Sequence, residues 1–324
     1  MREPAPLPPT LSGDVFTVAD AHLLGVGDGR LRRRDLMRPF HGVRAPALAP
    51  SLAPATENKD ATEDERWLRK RAVARERARQ YSVQMTGDQY FSHVTAAILH
   101  GLPLPARLIE RSAVDVGTSA RSGRRRGRGV VGHLIPADRA RIVSVDGLQV
   151  AAAVDAWCQL ATVLTLDELV MVGDALVCRT HPPATMAQLE AAVLRHGGLP
   201  GARRLREAFA LVRPRTDSPR ETMIRLIIVR GGLPEPAVNA SLMNRFGAFM
   251  AFGDLAYLLY KILVEYDGGQ HREDEEQFHR DIDRLDEPMA EGWRVIRINK
   301  SHRPRTIVHK IRTALLARGW TPPS

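Results

Sequence analysis

The chain has 324 residues, 44% of them hydrophobic, so it is long enough for two or three domains that each bury a core. Its formal net charge of +10 and isoelectric point near 10.2 favour a polyanionic partner over a free acidic metabolite. No apolar run approaches the roughly 20 residues of a membrane-spanning helix, so we expect no membrane partner. Cys158 and Cys178 form no metal or redox motif and predict a cytoplasmic protein with reduced thiols.

Two segments of biased composition lie near the N-terminus. Residues 1–14 are rich in proline and lack an apolar signal core, which predicts a disordered tail. Residues 47–62 are rich in Pro, Ala, Ser and Thr and predict a linker. Between them, residues 15–46 form the first predicted module, and residues 63–213 after the linker form a mixed α/β middle domain.

The first module combines a short helix with a basic one. Thr17 begins a helix that ends near Leu24, and Gly25–Gly29 forms a turn. Arg30–Arg38 predicts a strongly basic helix, and Pro39–Arg44 predicts a small β wing. This order is typical of a helix-turn-helix, whose second helix enters the DNA major groove. A small helical cap with a solvated arginine face is the alternative. The arginines that would contact DNA are Arg30, Arg32, Arg33 and Arg34.

The densest positive run of the middle domain is Arg121–Gly129, which precedes a strand predicted at Val130–Ile135. A Gly/Arg loop beside a strand suits contacts to DNA phosphates, and a solvated loop is the alternative. The candidate arginines are Arg124, Arg125, Arg126 and Arg128. Other predicted elements are helices at Glu63–Gln80, Ser92–Leu102, Asp155–Ala161, Asp167–Cys178, Met186–Arg195 and Ala202–Val212, and a hairpin at Ile142–Ala152.

The C-terminal domain, residues 214–324, alternates helices with strands. Ser218, Pro219 and Glu221 predict a helix N-terminus with a capping box. The predicted elements are, in order, a helix to Arg230, strands at Glu235–Ala240, Phe249–Tyr257 and Tyr260–Val264, a helix from Glu273 to Glu291, a strand at Trp293–Ile298 and a helix after Pro304. This is the order αβββαβα.

Acidic residues interrupt two apolar strands of this domain. The short connection Leu258–Lys261 predicts a hairpin that brings Asp254 beside Glu265, and Asp267 shares the face of Glu265. Two carboxylates near a core repel each other unless a cation or a donor lies between them. Oxygen ligands favour Mg²⁺ or Mn²⁺ over zinc. The alternative is that Asp254 caps the turn and Asp267-Gly268 is ordinary turn chemistry.

The residues of this domain carry a resemblance to the PD-(D/E)XK nuclease superfamily, in particular to domains like the very-short-patch-repair endonuclease. The carrying segments are Ser218–Glu221, Gly232–Pro236, Gly253–Ala256, Val264–Gly268, His271 and Gly292–Arg297. The resemblance implies a restriction-endonuclease-like fold. It also implies that Asp254 and Glu265 hold a divalent cation, that Glu221 supports it, and that His271 handles a proton.

Two residues depart from the motif, and two of the implied roles have alternatives. Asp267 stands where the superfamily's name expects Lys, and Gly253 stands in place of Pro. Glu221 is also explained as a capping-box residue, and His271 as an exposed residue at a helix entrance.

The N-terminal module resembles the winged helix of AbiEi-type antitoxins, through Thr17–Asp20, Arg30–Arg38 and the following segment Phe91–Leu102. Together the two resemblances imply a Mg²⁺-dependent DNA endonuclease of repair or defence with a DNA-binding module. The alternative is a catalytically silent DNA-binding antitoxin or transcriptional regulator. A cognate toxin or a repair or defence protein is the further partner they imply.

Overall fold

The computed structural model describes residues 5–46, 62–123, 126–267 and 286–323. The chain is mixed α/β, with three sheets among these residues. It forms two compact units, Met1–Val163 with Ala191–Ala202, and Leu164–Glu190 with Arg203–Ser324. This division does not fall at the expected boundary between residues 213 and 214. No helix in the described ranges is long and apolar enough to cross a membrane.

The first unit opens with a three-stranded antiparallel sheet and two short helices. The elements are β1 Phe16–Thr17, α1 Val18–Leu23, α2 Asp28–Leu31, β2 Leu36–Met37 and β3 Val43–Pro46, with strand order β1-β3-β2. The Thr17 hydroxyl accepts a hydrogen bond from the Asp20 N–H, so the predicted start of α1 is confirmed. The β2–β3 hairpin lies at the expected wing: β2 precedes the predicted segment, and β3 begins within it at Val43.

The predicted basic helix Arg30–Arg38 is wrong. Helix α2 ends at Leu31, and the next regular element is strand β2. Both Leu31 and Leu36 are buried in the same small core. Residues five positions apart on a helix point about 140° away from each other, so the chain has to turn before Leu36 can reach that core. The positive charge of the segment therefore lies on a turn.

The predicted disordered tail is also wrong where it can be compared. Residues 5–14 are described, and Pro9–Leu11 is a turn of 3-10 helix. Leu11 is buried against Phe16 and Leu31. Burial of Leu11 holds this segment in place. The proline-rich composition of the segment did not indicate that burial. The predicted linker lies outside the described residues except for Thr62.

The rest of the first unit is a six-stranded mixed sheet with helices. Its helices are α3 Glu63–Ser82, α4 His93–Leu99, α5 Ala106–Ile109 and α6 Ala153–Leu160. Its strands are β4 Tyr90–Phe91, β5 Val114–Thr118, β6 Arg126–Gly127, β7 Val130–Leu134, β8 Ile142–Val145 and β9 Leu148–Ala151, in the order β6-β7-β5-β4-β9-β8. The predicted hairpin is confirmed, since Asp146 and Gly147 both have the positive φ of its two-residue turn.

The second unit contains a four-stranded sheet in the order β10-β11-β12-β13. Its helices are α7 Leu166–Leu176, α9 Ala202–Leu211, α10 Pro219–Arg230, α11 over residues 286–290 and α12 Pro304–Ala317; helix α8, Met186–His196, has residues in both units. Its strands are β10 Ala237–Met243, β11 Phe249–Tyr257, β12 Ile262–Asp267 and β13 Arg294–Asn299; β12 and β13 are parallel. The predicted element order is confirmed for the described residues; the start of the second helix, at Glu273, lies outside them.

A buried ion pair explains why α7 belongs to this unit. The guanidinium of Arg225 on α10 donates to Asp174 on α7 at 2.8 Å, and both side chains are almost fully buried. Asp174 also accepts hydrogen bonds from Thr222 and from the N–H of Arg213. These contacts join α7 to α10, although sequence reasoning assigned α7 to the middle domain.

Candidate active site

The predicted hairpin brings Asp254 and Glu265 together. Backbone pairing of β11 with β12 runs from Tyr257 opposite Ile262 to Leu255 opposite Val264. Beyond this pair, the acidic side chains accept hydrogen bonds from backbone N–H groups. The Asp254 N–H donates to Glu265 Oε1 at 3.2 Å, and the Tyr266 N–H donates to Asp254 Oδ2 at 3.1 Å. These two hydrogen bonds give Asp254 a part in joining the strands, which the turn-cap alternative did not include.

Glu221 lies near this pair, at the first turn of α10. Ser218 Oγ accepts from the Glu221 N–H at 3.2 Å, which confirms the N-cap. The reciprocal half of the capping box is wrong, because the Glu221 carboxylate accepts from the Asp217 N–H at 3.0 Å instead of from the backbone N–H of Ser218. It also accepts from Asn239 Nδ2 at 2.8 Å. The Glu221 side chain therefore does more than cap the helix, because its carboxylate is also hydrogen-bonded to strand β10.

Electrostatics links Glu221 to the strand carboxylates. Burial and, after it, the negative charge of Asp254 raise the pKa of Glu221 to about 7, against hydrogen bonds from Asp217, Ser218 and Asn239 that act in the opposite direction. Glu265 is buried as well. At neutral pH the Glu221 carboxyl group is therefore able to hold or release a proton.

The remaining predicted catalytic residues are at the end of β12 and beyond it. Asp267 is the last residue of the strand, partly buried, and is in register with Asn299 of β13. His271 lies outside the described residues. The structure thus brings Asp254, Glu265 and Glu221 together, with Asp267 two residues beyond Glu265 on the same strand.

The carboxylates of Asp254 and Glu265 are able to supply part of the coordination shell of a metal ion. In the four described ranges, no group of three or more His, Cys, Asp or Glu side chains is arranged to hold a metal ion. Mg²⁺ keeps several waters and is usually bound by one or two carboxylates together with substrate phosphates. Asp254, partly buried, and Glu265, buried, offer oxygen donors only, which fits that mode of binding and does not fit a closed structural site.

Two residues that sequence reasoning missed hold Glu221 in place. Asn239 donates to Glu221 and also to the Arg215 carbonyl at 2.9 Å, while the Arg215 guanidinium donates to the Asn239 carbonyl at 3.1 Å. Asn239 has φ of +40°, a conformation that Asn tolerates better than most residues. An Asn inside an apolar strand was the available signal. These contacts put an exposed guanidinium next to the residue that holds Glu221.

Arginine and aromatic side chains cover the neighbouring surface of β11. The guanidinium of Arg179 lies 4.6 Å from the ring centroid of Phe252, and that of Arg215 lies 6.0 Å from it. At the β10–β11 turn, Phe246 and Phe249 are 80% and 53% exposed. Exposed aromatic rings are suited to stacking on bases, and the arginines beside them are suited to pairing with phosphates.

The arginines predicted to contact DNA have different surroundings. Arg30 pairs with Asp35 at 2.7 Å and donates to the Ala5 carbonyl, so it holds the N-terminal segment. Arg32 pairs with Asp28 at 3.2 Å, and both side chains are exposed. Arg33, Arg34 and Arg128 are exposed. The backbone of Arg126 pairs with Val131, and Arg124 and Arg125 lie outside the described residues. The first four arginines do not form one helical face.

Comparisons with known proteins add no family to these observations. No family model matches the chain, and no curated protein or solved structure matches it either.

Proposed function

We propose that this chain is a metal-dependent endonuclease that cleaves DNA. The observation that carries the proposal is the meeting of Asp254, Glu265 and Glu221 at the edge of the β11–β12 pairing, where Asp254 helps to raise the pKa of Glu221 to about 7. Acidic groups gathered in a partly buried site repel one another, and a divalent cation relieves that repulsion. Phosphodiester hydrolysis is a reaction for which such a site is suited.

In this proposal Asp254 and Glu265 hold Mg²⁺ or Mn²⁺. The bound cation would neutralise the phosphate and lower the pKa of a water. Glu221 accepts or releases a proton near neutral pH, because its pKa is close to 7. Asn239 keeps the Glu221 carboxylate oriented through its 2.8 Å hydrogen bond. Asp267 supplies no ammonium where the superfamily has Lys, so the proton-handling role falls to Glu221 and to His271.

DNA is the proposed substrate because of charge and surface chemistry. The chain carries a net charge of +10. Arg179, Arg215 and the exposed Phe246 and Phe249 lie on or beside the strand that carries Asp254. Guanidinium groups contact phosphates, and exposed rings stack on bases that have left the duplex.

The direct test is cleavage of supercoiled plasmid by the full chain with Mg²⁺, Mn²⁺ or EDTA. We expect metal-dependent nicking that is lost in both Asp254→Asn and Glu265→Gln. The matched control is Glu287→Gln, which removes an exposed carboxylate of the same unit and should cleave normally.

Salt-sensitive retention of DNA without nicking, in every metal, would contradict the nuclease and favour the DNA-binding regulator. Cleavage of RNA with no cleavage of duplex DNA would contradict the proposed substrate. Equal nicking by the parent chain and by both active-site variants would mean that Asp254 and Glu265 do not hold the catalytic metal.

A further inference from the structure

The first unit contains a basic cavity of about 780 Å³. It lies between helix α3, the β2–β3 hairpin turn and the β6–β7 turn. Three of its lining residues are the arginines Arg38, Arg77 and Arg128, His41 lies beside them, and among the residues that the structure describes no acidic side chain lines it. The volume falls within the range of about 300–1,000 Å³ that small-molecule sites occupy. A concave surface with only cationic charges is suited to an anion.

Arg77 is the most informative residue of the cavity. Its guanidinium lies 4.8 Å from the ring centroid of Phe40, which itself packs edge-on against Tyr81 at 5.0 Å. Within the described part of the chain, its buried Nε has no hydrogen-bond partner. Burial lowers the pKa of Arg77. A buried donor without an acceptor is unfavourable, so an anion that supplies an acceptor to this guanidinium would be favoured.

The turn that follows β6 allows this arrangement. Gly129 has φ of +82°, and a Cβ atom at this position would lie 2.8 Å from Arg77 Nη2 and 3.4 Å from Phe40. A glycine therefore leaves room for the guanidinium to lie over the ring. Arg128, next to it, is exposed at the cavity and is able to approach a ligand from the solvent side.

We propose that this cavity binds a phosphate monoester, with Arg77 donating from the cavity wall and Arg128 and Arg38 donating from its rim. Planar guanidinium groups match phosphate oxygens better than any other side chain does. The cavity is larger than a phosphate group requires, so the ester carries an organic substituent of about nucleoside size. The same chemistry is present in a free nucleotide and at the phosphorylated end of a nucleic-acid strand.

This site does not depend on the proposed nuclease. Its lining residues all belong to the unit formed by Met1–Val163 with Ala191–Ala202, whereas Asp254, Glu265 and Glu221 belong to the other unit. Binding is therefore measured without metal and without cleavage. A chain that fails to cut DNA is still able to bind the phosphate ester. Likewise, a chain that does not bind the ester is still able to cut DNA.

The test is isothermal titration of the full chain, in EDTA, with inorganic phosphate, deoxyadenosine 5′-monophosphate, and a short single strand with or without a 5′-phosphate. Sodium chloride at matched ionic strength is the reference. We expect the monophosphate to bind and Arg128→Gln to weaken its binding about tenfold, as loss of one charge-assisted hydrogen bond predicts. Arg77→Gln should weaken it at least as much. Arg128 is exposed, so its variant should fold normally.

The control is Arg203→Gln, which removes an exposed arginine that does not line the cavity. Unchanged binding in this variant, with weaker binding in Arg128→Gln, supports the site. Preference for the 5′-phosphorylated strand over both the free monophosphate and the unphosphorylated strand identifies a strand end as the source. Preference for the monophosphate over the phosphorylated strand identifies a free nucleotide. No binding beyond that of chloride, or equal weakening in Arg128→Gln and Arg203→Gln, would overturn the proposal.

Discussion

Asp254 and Glu265 each accept a hydrogen bond from a backbone N–H at or next to the other residue. The Asp254 N–H donates to Glu265, and the N–H of Tyr266 donates to Asp254. The two side chains thus continue the join between β11 and β12 after the regular pairs end at Leu255 and Val264. These hydrogen bonds hold both carboxylates in place. Each needs only an oxygen acceptor, so the role of the two side chains in joining the strands does not require their negative charge.

Asp254→Asn should therefore keep the fold and lose the chemistry. An amide oxygen still accepts the hydrogen bond from the Tyr266 N–H, so we expect the thermal unfolding midpoint to change by only a few degrees. Since the proposed function makes Asp254 a ligand of the metal, loss of its charge should lower metal-dependent cleavage at least about 100-fold. Circular dichroism and plasmid nicking measure the two effects. A variant that unfolds readily would show that the charge itself holds the strands.

Glu221 predicts a pH dependence of stability. Its pKa in the folded chain is about 7, above the ordinary value of 4.5, so between these values the folded state holds a proton that the unfolded state has released. Its contribution to the free energy of unfolding is fully present below pH 4.5 and declines as the pH rises to about 7. The decline is on the order of 3 kcal/mol.

Urea unfolding of the parent chain and of Glu221→Gln, at several values between pH 4.5 and pH 8, tests this prediction. Glutamine does not titrate, so the variant should lose less stability than the parent chain as the pH rises. Parallel curves for the two proteins would be inconsistent with a raised pKa at Glu221.

The regular spacing of buried residues explains which elements of the second unit could be predicted from the sequence. Ile307, Ile311 and Leu315 recur every four residues and are buried along α12, as predicted. The β11–β12 hairpin also followed from local signals, and it brought Asp254 beside Glu265. Elements of this kind depend on side-chain periodicity and turn chemistry, which a short stretch of sequence contains in full.

The errors arose where distant residues decide the outcome. The arginines after Leu31 suggested a helix, but burial of both Leu31 and Leu36 requires a turn. The capping-box pattern at Ser218 and Glu221 was only half realised, because Asn239 on another element binds the glutamate. Helix α7 is grouped with α10, where Arg225, 51 residues away from Asp174, donates a hydrogen bond to it. Such contacts have no local signature.

The Asp174–Arg225 pair leads to a prediction about stability. Burial raises the pKa of Asp174, and Arg225 opposes that rise. Arg225→Met would leave the carboxylate buried without its cation, which costs about 3–5 kcal/mol. The matched control is Arg230→Met on the same helix, which removes an exposed pair with Asp167 and should cost about 0–1 kcal/mol. Equal urea midpoints for the two variants would contradict a stabilising role for the buried pair.

His93 predicts the opposite pH dependence in the first unit. Its ring stacks on His133 with centroids 3.6 Å apart. Burial, followed by the charges of His133, Arg111 and His196, lowers the pKa of His93 to about 3, while Asp115 acts in the opposite direction. The ordinary value is 6.5, so between pH 3 and pH 6.5 the unfolded state binds the extra proton. Stability should therefore fall as the solution becomes more acidic than pH 6.5.

For this single group, the loss between pH 6.5 and pH 5 is about 2 kcal/mol. His93→Asn removes the titrating ring, and Asn tolerates the positive φ of +46° at this position. We expect the variant to lose less stability than the parent chain over that interval in urea titrations. The exposed His309 provides the control, since His309→Asn should follow the parent curve. If His93→Asn and the parent chain lost stability equally between pH 6.5 and pH 5, His93 would not be held in its neutral form by burial against His133.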